Sequence, residues 1–434
     1  MIRPRWVKVL ADLWGNKLRS LLVIASIAVG LFAFGIIATM YVVITEDMAN
    51  GYAAVNPANI QLTIPNFDQE LVDRIEKVEG VRQAEGARRT TLRMQAGPGD
   101  WISLDLKGLR HPEQMAINRL VVEQGKWPPD DREIVIDRYK LPDTHARLGD
   151  LIRIELPDGK LRELKLVGVV HDQTIGMEGI GGGFFLAPVQ GYITLDTMEW
   201  LGQPALYNRL NVVVDGDRAS QEHIDAVAAR VRQEVEDSGY TIASSLQRSA
   251  YDHPNSIYVQ AIAGVLLLLG LLVVFLSAFL VTNTLSALLN QQMQKIGIMK
   301  TVGGRRLQIS GIYMMLIFLF GVLAFAIAFP LAYQAAFRLL DYLALEINFV
   351  LQGYRLVLSV LILQVLLALL VPQIAGFYPI LHGAQVSVQE AISGFLQGGM
   401  PARKSRLARW TGRLKVLSRP MQISLRNAFR RKGR

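Results

Sequence analysis

LLVIASIAVGLFAFGIIATMYVVI, residues Leu21 to Ile44, runs for 24 residues without one charge. As a helix rising 1.5 Å per residue it would reach about 36 Å, enough for a bilayer core of about 30 Å. A signal peptide has an apolar region of only about 7 to 15 residues, followed by a small-residue cleavage site. The stretch therefore reads as a spanning helix over 21–44, and the rest of the chain is read against it.

The next charge-free stretch, Pro254 to Gln294, would be about 61 Å long as one helix, twice what lipid needs. Its middle is dominated by Leu and Val, and its end, Asn290-Gln291-Gln292-Met293-Gln294-Lys295, is polar. This predicts a second span over 257–289 that continues into water. A third follows at 307–337, interrupted by Pro330, and a fourth at 356–381, with Pro372 inside it. Prolines are tolerated there because neighbouring helices re-satisfy the freed carbonyls.

Charge between the spans sets the expected orientation. Residues 1–20, a basic amphipathic helix, carry Arg3, Arg5, Lys8, Lys17 and Arg19 against Asp12. Segment 290–306 carries Lys295, Lys300, Arg305 and Arg306 and no acid, and residues 403–434 carry 12 basic residues and no acid. Residues 45–256 hold 23 basic and 33 acidic side chains, and 338–355 balance at zero. The positive-inside rule then predicts a multi-pass membrane protein with both termini, the elbow 290–306 and the basic tail 382–434 in the cytoplasm. The insert 45–256 and the loop 338–355 lie outside.

The whole composition agrees: 434 residues, 51% hydrophobic and only 19% charged, with a mean hydropathy of +0.27. That excludes a disordered chain. The absence of cysteine removes disulfide frameworks, thiolate nucleophiles and cysteine-ligated metals. The net charge of +9 is concentrated beside helix ends, where it serves topology and the lipid surface, so no nucleic-acid partner is expected.

The insert is long enough for one large or two small globular units. Asp68 to Val78 reads as an amphipathic helix, with Leu71, Ile75 and Val78 on one stripe. Alternation predicts strands at Thr90–Met94 and Trp101–Leu106, with further short strands at Ile134–Ile136 and Asn211–Val214. Leu151–Leu156 and Leu161–Val167 flank Pro157-Asp158-Gly159-Lys160, a hairpin whose glycine supplies positive φ. Ser220 to Glu236 reads as a helix capped by Ser220, with Ile224, Val227, Ala228 and Val231 facing inward. The predicted fold class is a membrane protein of four transmembrane α-helices, with a large α+β extracytoplasmic domain between the first and second.

Catalytic patterns are lacking. No Gly-x-x-x-x-Gly-Lys-Ser/Thr phosphate cradle occurs, so nucleotide hydrolysis is not expected of this chain. The run Gly176-Met177-Glu178-Gly179-Ile180-Gly181-Gly182-Gly183 lacks the lysine and reads as an external loop, mobile or acting as a lid. The six histidines, at 111, 145, 171, 223, 253 and 382, show no ligand spacing, and no Gly-x-Ser-x-Gly elbow appears, so no metal, cofactor or catalytic residue is assigned. His171-Asp172, at the end of a strand, reads as a solvated turn and is the one pairing to test.

One stretch carries mechanism. Gln291 to Arg306 places a short basic amphipathic helix between spans two and three, stopped by Gly303-Gly304. Such an elbow can fit a groove on a partner, with Ile296 and Met299 as anchors and Lys295 and Lys300 as rim charges. The alternative is a connecting turn that hugs the headgroups.

Ile296-Gly297-Ile298-Met299-Lys300-Thr301-Val302-Gly303-Gly304 resembles the "E-I-G-I-x-K-A-x-G-A" segment of the MacB/FtsX-like permeases of ABC transporters, the group that includes LolC and LolE. Leu13 to Ser20, Glu133–Ile136, Leu148-Gly149-Asp150 and Val167–Val170 resemble the same family, in the same order. The resemblance implies an elbow, here Gln292, Lys295, Ile296, Gly297, Met299, Lys300, Gly303 and Gly304, that docks on a separate ABC ATPase subunit. It also implies an external domain worked from across the membrane, by export or mechanotransmission. Where the family has Glu-Arg and then Glu, this chain has Gln291, Gln292 and Lys295, which would rewire the charge pairing.

Leu425 to Arg434 echoes Leu10 to Arg19, with aromatic, Lys and Arg in register. Some family members carry two halves, so this chain reads as the first half, its second missing or supplied by another polypeptide. The expected partners are the ATPase, a second permease half or homodimer partner, the bilayer, and a periplasmic or extracellular partner. Two rivals stay open on sequence alone. One is a non-transporting regulatory or sensing protein that controls a cell-envelope hydrolase or binds a ligand. The other is a membrane-anchored enzyme.

Overall fold

A computed structural model describes Trp14 and residues 17–176 and 188–385. Most of the amino-terminal helix expected over 1–20, the glycine-rich run beyond Gly176, and the basic tail beyond Gln385 lie outside the described residues.

Among the described residues four helices are long and apolar enough to cross a membrane: α1 (Lys17–Ala54), α6 (Ser256–Thr301), α7 (Arg306–Glu346) and α8 (Leu358–Gln385). Pro330 in α7 and Pro372 and Pro379 in α8 are accommodated inside continuous helices. Between α1 and α6 stands an α+β domain. The chain is a multi-pass membrane protein of the expected fold class.

Among the described residues the inserted domain contains ten strands, four α-helices and a single 3-10 turn at Pro112–Gln114. Its strands are β1 (Ile60–Phe67), β2 (Val81–Gly97), β3 (Asp100–Leu109), β4 (Val121–Gly125), β5 (Glu133–Asp137), β6 (Leu151–Glu155), β7 (Leu161–His171), β8 (Val189–Thr194), β9 (Tyr207–Val214) and β10 (Ser244–Gln247). Its helices are α2 (Gln69–Ile75), α3 (Leu141–Thr144), α4 (Leu195–Trp200) and α5 (Gln221–Asp237). The 17-residue β2 belongs to two layers. Its first half pairs antiparallel with β9, which pairs with β1 and so with β10. Its second half pairs with β3, and from there β8, β5, β7 and β6 follow in turn until β6 returns to β2, closing a ring of six strands. The β3–β8 and β5–β7 pairings are parallel, the rest antiparallel.

Local chemistry sets these elements. The β6–β7 hairpin pairs Glu155 with Leu161, and Gly159 takes φ +80° in its turn. Ile152, Ile154, Leu164 and Leu166 point inward with Ile134, Ile136, Leu104 and Leu106, all at most 3% exposed. Asp68 caps α2 by accepting a bond from the Leu71 amide, and Ser220 caps α5 by accepting one from His223. The buried stripe of α5 is Ile224, Val227, Ala228, Val231 and Val235. Fully burying each Leu, Ile or Val here stabilises by about 1.5 to 3 kcal/mol, so a charge at Val227 would unfold this layer.

The described residues fall into two compact units, one drawn from 30–274 and 327–364, the other from 17–29, 275–326 and 365–385. The first holds the inserted domain with the adjoining parts of the membrane helices, and there Gln364 donates to the Leu31 carbonyl at 3.1 Å. In the second, Gln373 donates to the Met314 carbonyl and Thr282 to the Ala375 carbonyl. Gly321 lets α7 lie directly on α8, since a Cβ there would sit 2.3 Å from the Ala368 carbonyl oxygen. Lipid tails are as apolar as leucine, so close backbone packing and such bonds hold membrane helices together.

Candidate functional site

The segment carrying the site residues is the end of α6 and a turn of four residues. The short amphipathic helix read over 291–302 is the last part of α6 itself, which runs unbroken to Thr301. It stops in a Schellman motif: the Gly304 amide donates to the Met299 carbonyl at 2.8 Å and the Gly303 amide to the Lys300 carbonyl at 3.0 Å. Gly303 takes φ +92°, which a β-carbon disfavours. α7 then begins at once, and Gln308 Oε1 accepts from the Arg305 amide at its first turn.

The eight expected site residues fall on different sides of this hairpin. Gln292 is buried, its Oε1 accepting from the Tyr313 hydroxyl at 2.7 Å. Ile296 is 1% exposed and Gly297 is also buried, so both face the inside of the hairpin. Lys295 and Gly303 are exposed, while Met299, Lys300 and Gly304 are half-buried. Burial, with the Arg306 charge added, pulls the Lys300 ammonium below its ordinary value. The apolar side chains that the tip presents are Ile298, Val302 and Leu307, at 54%, 85% and 85% exposed. Their sequence signal is the i, i+4 spacing of Ile298 and Val302 just before Gly303, with Leu307 just after the turn. Arg305 and Arg306, both exposed, surround them with positive charge.

The other unit contains a polar network where the inserted domain meets the α7–α8 loop. Here the expectation of a solvated turn at His171-Asp172 fails, because both residues are 1% exposed. The reason lies outside the local sequence. β7 is covered by β5 and β4, and Tyr192 of β8 reaches over to place its hydroxyl on Asp172 Oδ2. Lys107 Nζ of β3 lies 2.8 Å from the same oxygen, and the Thr174 amide and hydroxyl bond Oδ1. Burial alone would raise the Asp172 carboxyl, but Lys107 and these hydrogen bonds draw it down to about 2. Asp137, bonded to the Asp172 amide at 2.7 Å, is pushed up to about 7 by burial. His171 meets Arg138 at 3.3 Å, and burial with that charge lowers it to about 4. The charged side-chain partner of His171 is thus Arg138 and that of Asp172 is Lys107, and among the described residues no group of three His, Asp or Glu could hold a metal.

This network is gripped from the membrane side. Asn348, in left-handed backbone at φ +60°, donates to the Asp172 carbonyl at 2.9 Å. Asn255, at the start of α6, donates to the Ile347 carbonyl, and Arg355 pairs with Glu46 and the buried Asp47 near the end of α1. Residues 347–355 thus tie α1, α6, α7 and the inserted domain together within one unit.

Long membrane helices, an α+β insert and a tight interhelical turn define a multi-pass membrane protein. Residues 267–388, which span most of α6 with α7 and α8, match the model of the FtsX-like permease C-terminal family. Among solved structures, the extracellular domain of the noncanonic ABC-type transporter YknZ from Gram-positive bacteria aligns at 14% identity with a TM-score of 0.30, covering 43% of this chain and all of that one. The periplasmic region of MacB from Actinobacillus actinomycetemcomitans aligns at 12% identity with a TM-score of 0.30, covering 47% of this chain and 91% of that one. No curated protein matches the sequence.

Proposed function

We propose that the chain is the permease subunit of an ABC transporter of the MacB/FtsX type, coupling ATP hydrolysis in a separate subunit to export or to work by the inserted domain on the far side of the membrane. The observation that carries this reading is the α6–α7 tip. Three exposed apolar side chains, Ile298, Val302 and Leu307, stand among Lys295, Arg305 and Arg306 on a turn pinned by two glycines. Isolated exposed leucines need no explanation in a helix facing lipid, but three apolar side chains clustered on a charged turn favour a partner that covers them. The family match over 267–388 includes this turn and supports a permease role.

In this reading Lys295 meets an acidic rim of the ATPase, and Ile298, Val302, Met299 and Leu307 fill its groove. Both termini and the tip face the cytoplasm of a bacterial cell, and the inserted domain faces outward. A second permease half, or a second copy, completes the bundle. Motion at the tip reaches the inserted domain along α6 and α7: Asn348, just past α7, bonds the Asp172 carbonyl of that domain, and Asn255, just before α6, bonds the neighbouring Ile347 carbonyl.

The test is recovery of an ATPase with the tagged full chain in detergent. Val302→Asp and Leu307→Asp are expected to cut recovery about tenfold each, with the chain's own yield unchanged. Equal recovery with wild type and both variants would overturn the docking role.

A further inference from the structure

We propose that a groove between α1 and α7, on the inserted domain's side of the membrane, is a binding site for a phospholipid with an ethanolamine headgroup. The cavity measures about 750 Å³ and is open along one side. Its floor is mostly apolar: Phe32 of α1 faces Leu331, Ala335 and Phe337 of α7, with Gln334 the polar side chain among them. Its upper end is polar, formed by Arg338 and Asp341 one turn apart on α7 and by Tyr354.

Three observations select the ligand. Tyr354 marks the level of the membrane interface, because its neighbour Arg355 pairs with Glu46 and Asp47 where α1 turns polar, and tyrosines gather at that depth. Its ring stands against Tyr333 and Phe337, with centroids 4.9 and 4.6 Å away, and walls the groove. Arg338 and Asp341 are both exposed, and neither makes an ion pair or side-chain hydrogen bond with any described residue. A charge at this depth is costly unless it reaches water or a counter-charge. Three residues of helix separate the two groups by about 4.5 Å along the axis, with the cation nearer the membrane middle. An ethanolamine headgroup offers the matching order, phosphate next to the acyl chains and ammonium farther out. Arg338 then holds the phosphate by its planar fork of donors, Asp341 accepts from the ammonium, and an acyl chain lies along Phe32, Leu331 and Ala335. The site is independent of whether an ATPase drives the chain.

The experiment uses the purified full chain in detergent micelles, titrated with phosphatidylethanolamine, phosphatidylglycerol or phosphatidylcholine, with bound lipid counted by native mass spectrometry. The ethanolamine lipid is expected to bind about tenfold more tightly than the other two, the worth of one charge-assisted hydrogen bond. Asp341→Asn should erase that preference and leave phosphatidylglycerol binding intact. Arg338→Gln should weaken all three, Arg338→Lys should recover part of the loss, and Ala335→Trp should block the groove. The lipid-free melting temperature of each variant shows that it is folded. Equal affinity for the three lipids in the wild type, or lipid binding unchanged in folded Arg338→Gln and Ala335→Trp, would overturn the proposal.

Discussion

Replacing Lys107 by methionine removes the cation paired with the buried Asp172 carboxylate and keeps an unbranched side chain one atom shorter. Drawing that carboxyl from 3.8 down to about 2 corresponds to about 2 kcal/mol of stability at neutral pH. The variant loses that and also leaves a charge in a site where burial acts to raise its pKa. Breaking a buried ion pair costs about 3 to 5 kcal/mol. Tyr192 and Thr174 still bond the carboxylate, and Lys107 is itself a quarter exposed, so the expected loss is about 2 to 4 kcal/mol at pH 7. The assay is denaturant unfolding of the full chain in detergent, followed by tryptophan fluorescence, to which Trp127 beside Tyr192 contributes. The pH dependence is diagnostic. In the wild type Asp172 has a lowered pKa, so its contribution is complete above 3.8 and disappears as pH falls through about 2. In the variant the carboxyl is raised, and protonation relieves it as the solution is acidified. The stability gap should therefore narrow from pH 7 to pH 4. A gap below about 0.5 kcal/mol at pH 7, or one constant over that range, would refute the reasoning.

Further outcomes follow from the same contacts. His253, buried beside Tyr52, is lowered to about 4, so the folded state is progressively disfavoured as pH falls from 6.5 toward 4, by about 1 kcal/mol at pH 5.5. Asp137, raised to about 7, acts in the opposite sense over the same range, so the check compares variants: His253→Gln should lose less stability between pH 7 and 5 than wild type in the same unfolding assay. Gly321→Ala drives a methyl into the Ala368 carbonyl and should lower the detergent melting temperature by several degrees, whereas Gly311→Ala, with open space around it, should not. Gly303→Ala puts a side chain at φ +92° and should cost about 1 kcal/mol, with a matching loss of ATPase recovery if the turn's shape matters to docking.

Much of the fold is written locally. Uncharged length gives the four helices, Ser220 and Asp68 announce their caps, and Asp158-Gly159 announces its hairpin. The ring of strands is not local. β3 pairs with β8, some eighty residues on, and β9 inserts between β1 and β2, pairings that alternation within one strand cannot name. The same limit hid the Asp172 network, since its partners Lys107, Asp137 and Tyr192 come from three other strands. At the elbow the glycines and the cations were legible, but periodicity alone did not show that Ile296 turns inward and Val302 outward. That choice depends on where α7 packs, and Ile309 and Tyr313 of α7 are themselves buried.

The chain has no cysteine, so a single reactive group can be placed at will. The most direct measurement installs a photo-crosslinking amino acid at position 302, in place of the 85% exposed valine, and irradiates living cells. The account predicts one main adduct, with the ATP-hydrolysing subunit of an ABC transporter. Adducts confined to lipid, or formed with a protein on the inserted domain's side of the membrane, would contradict it.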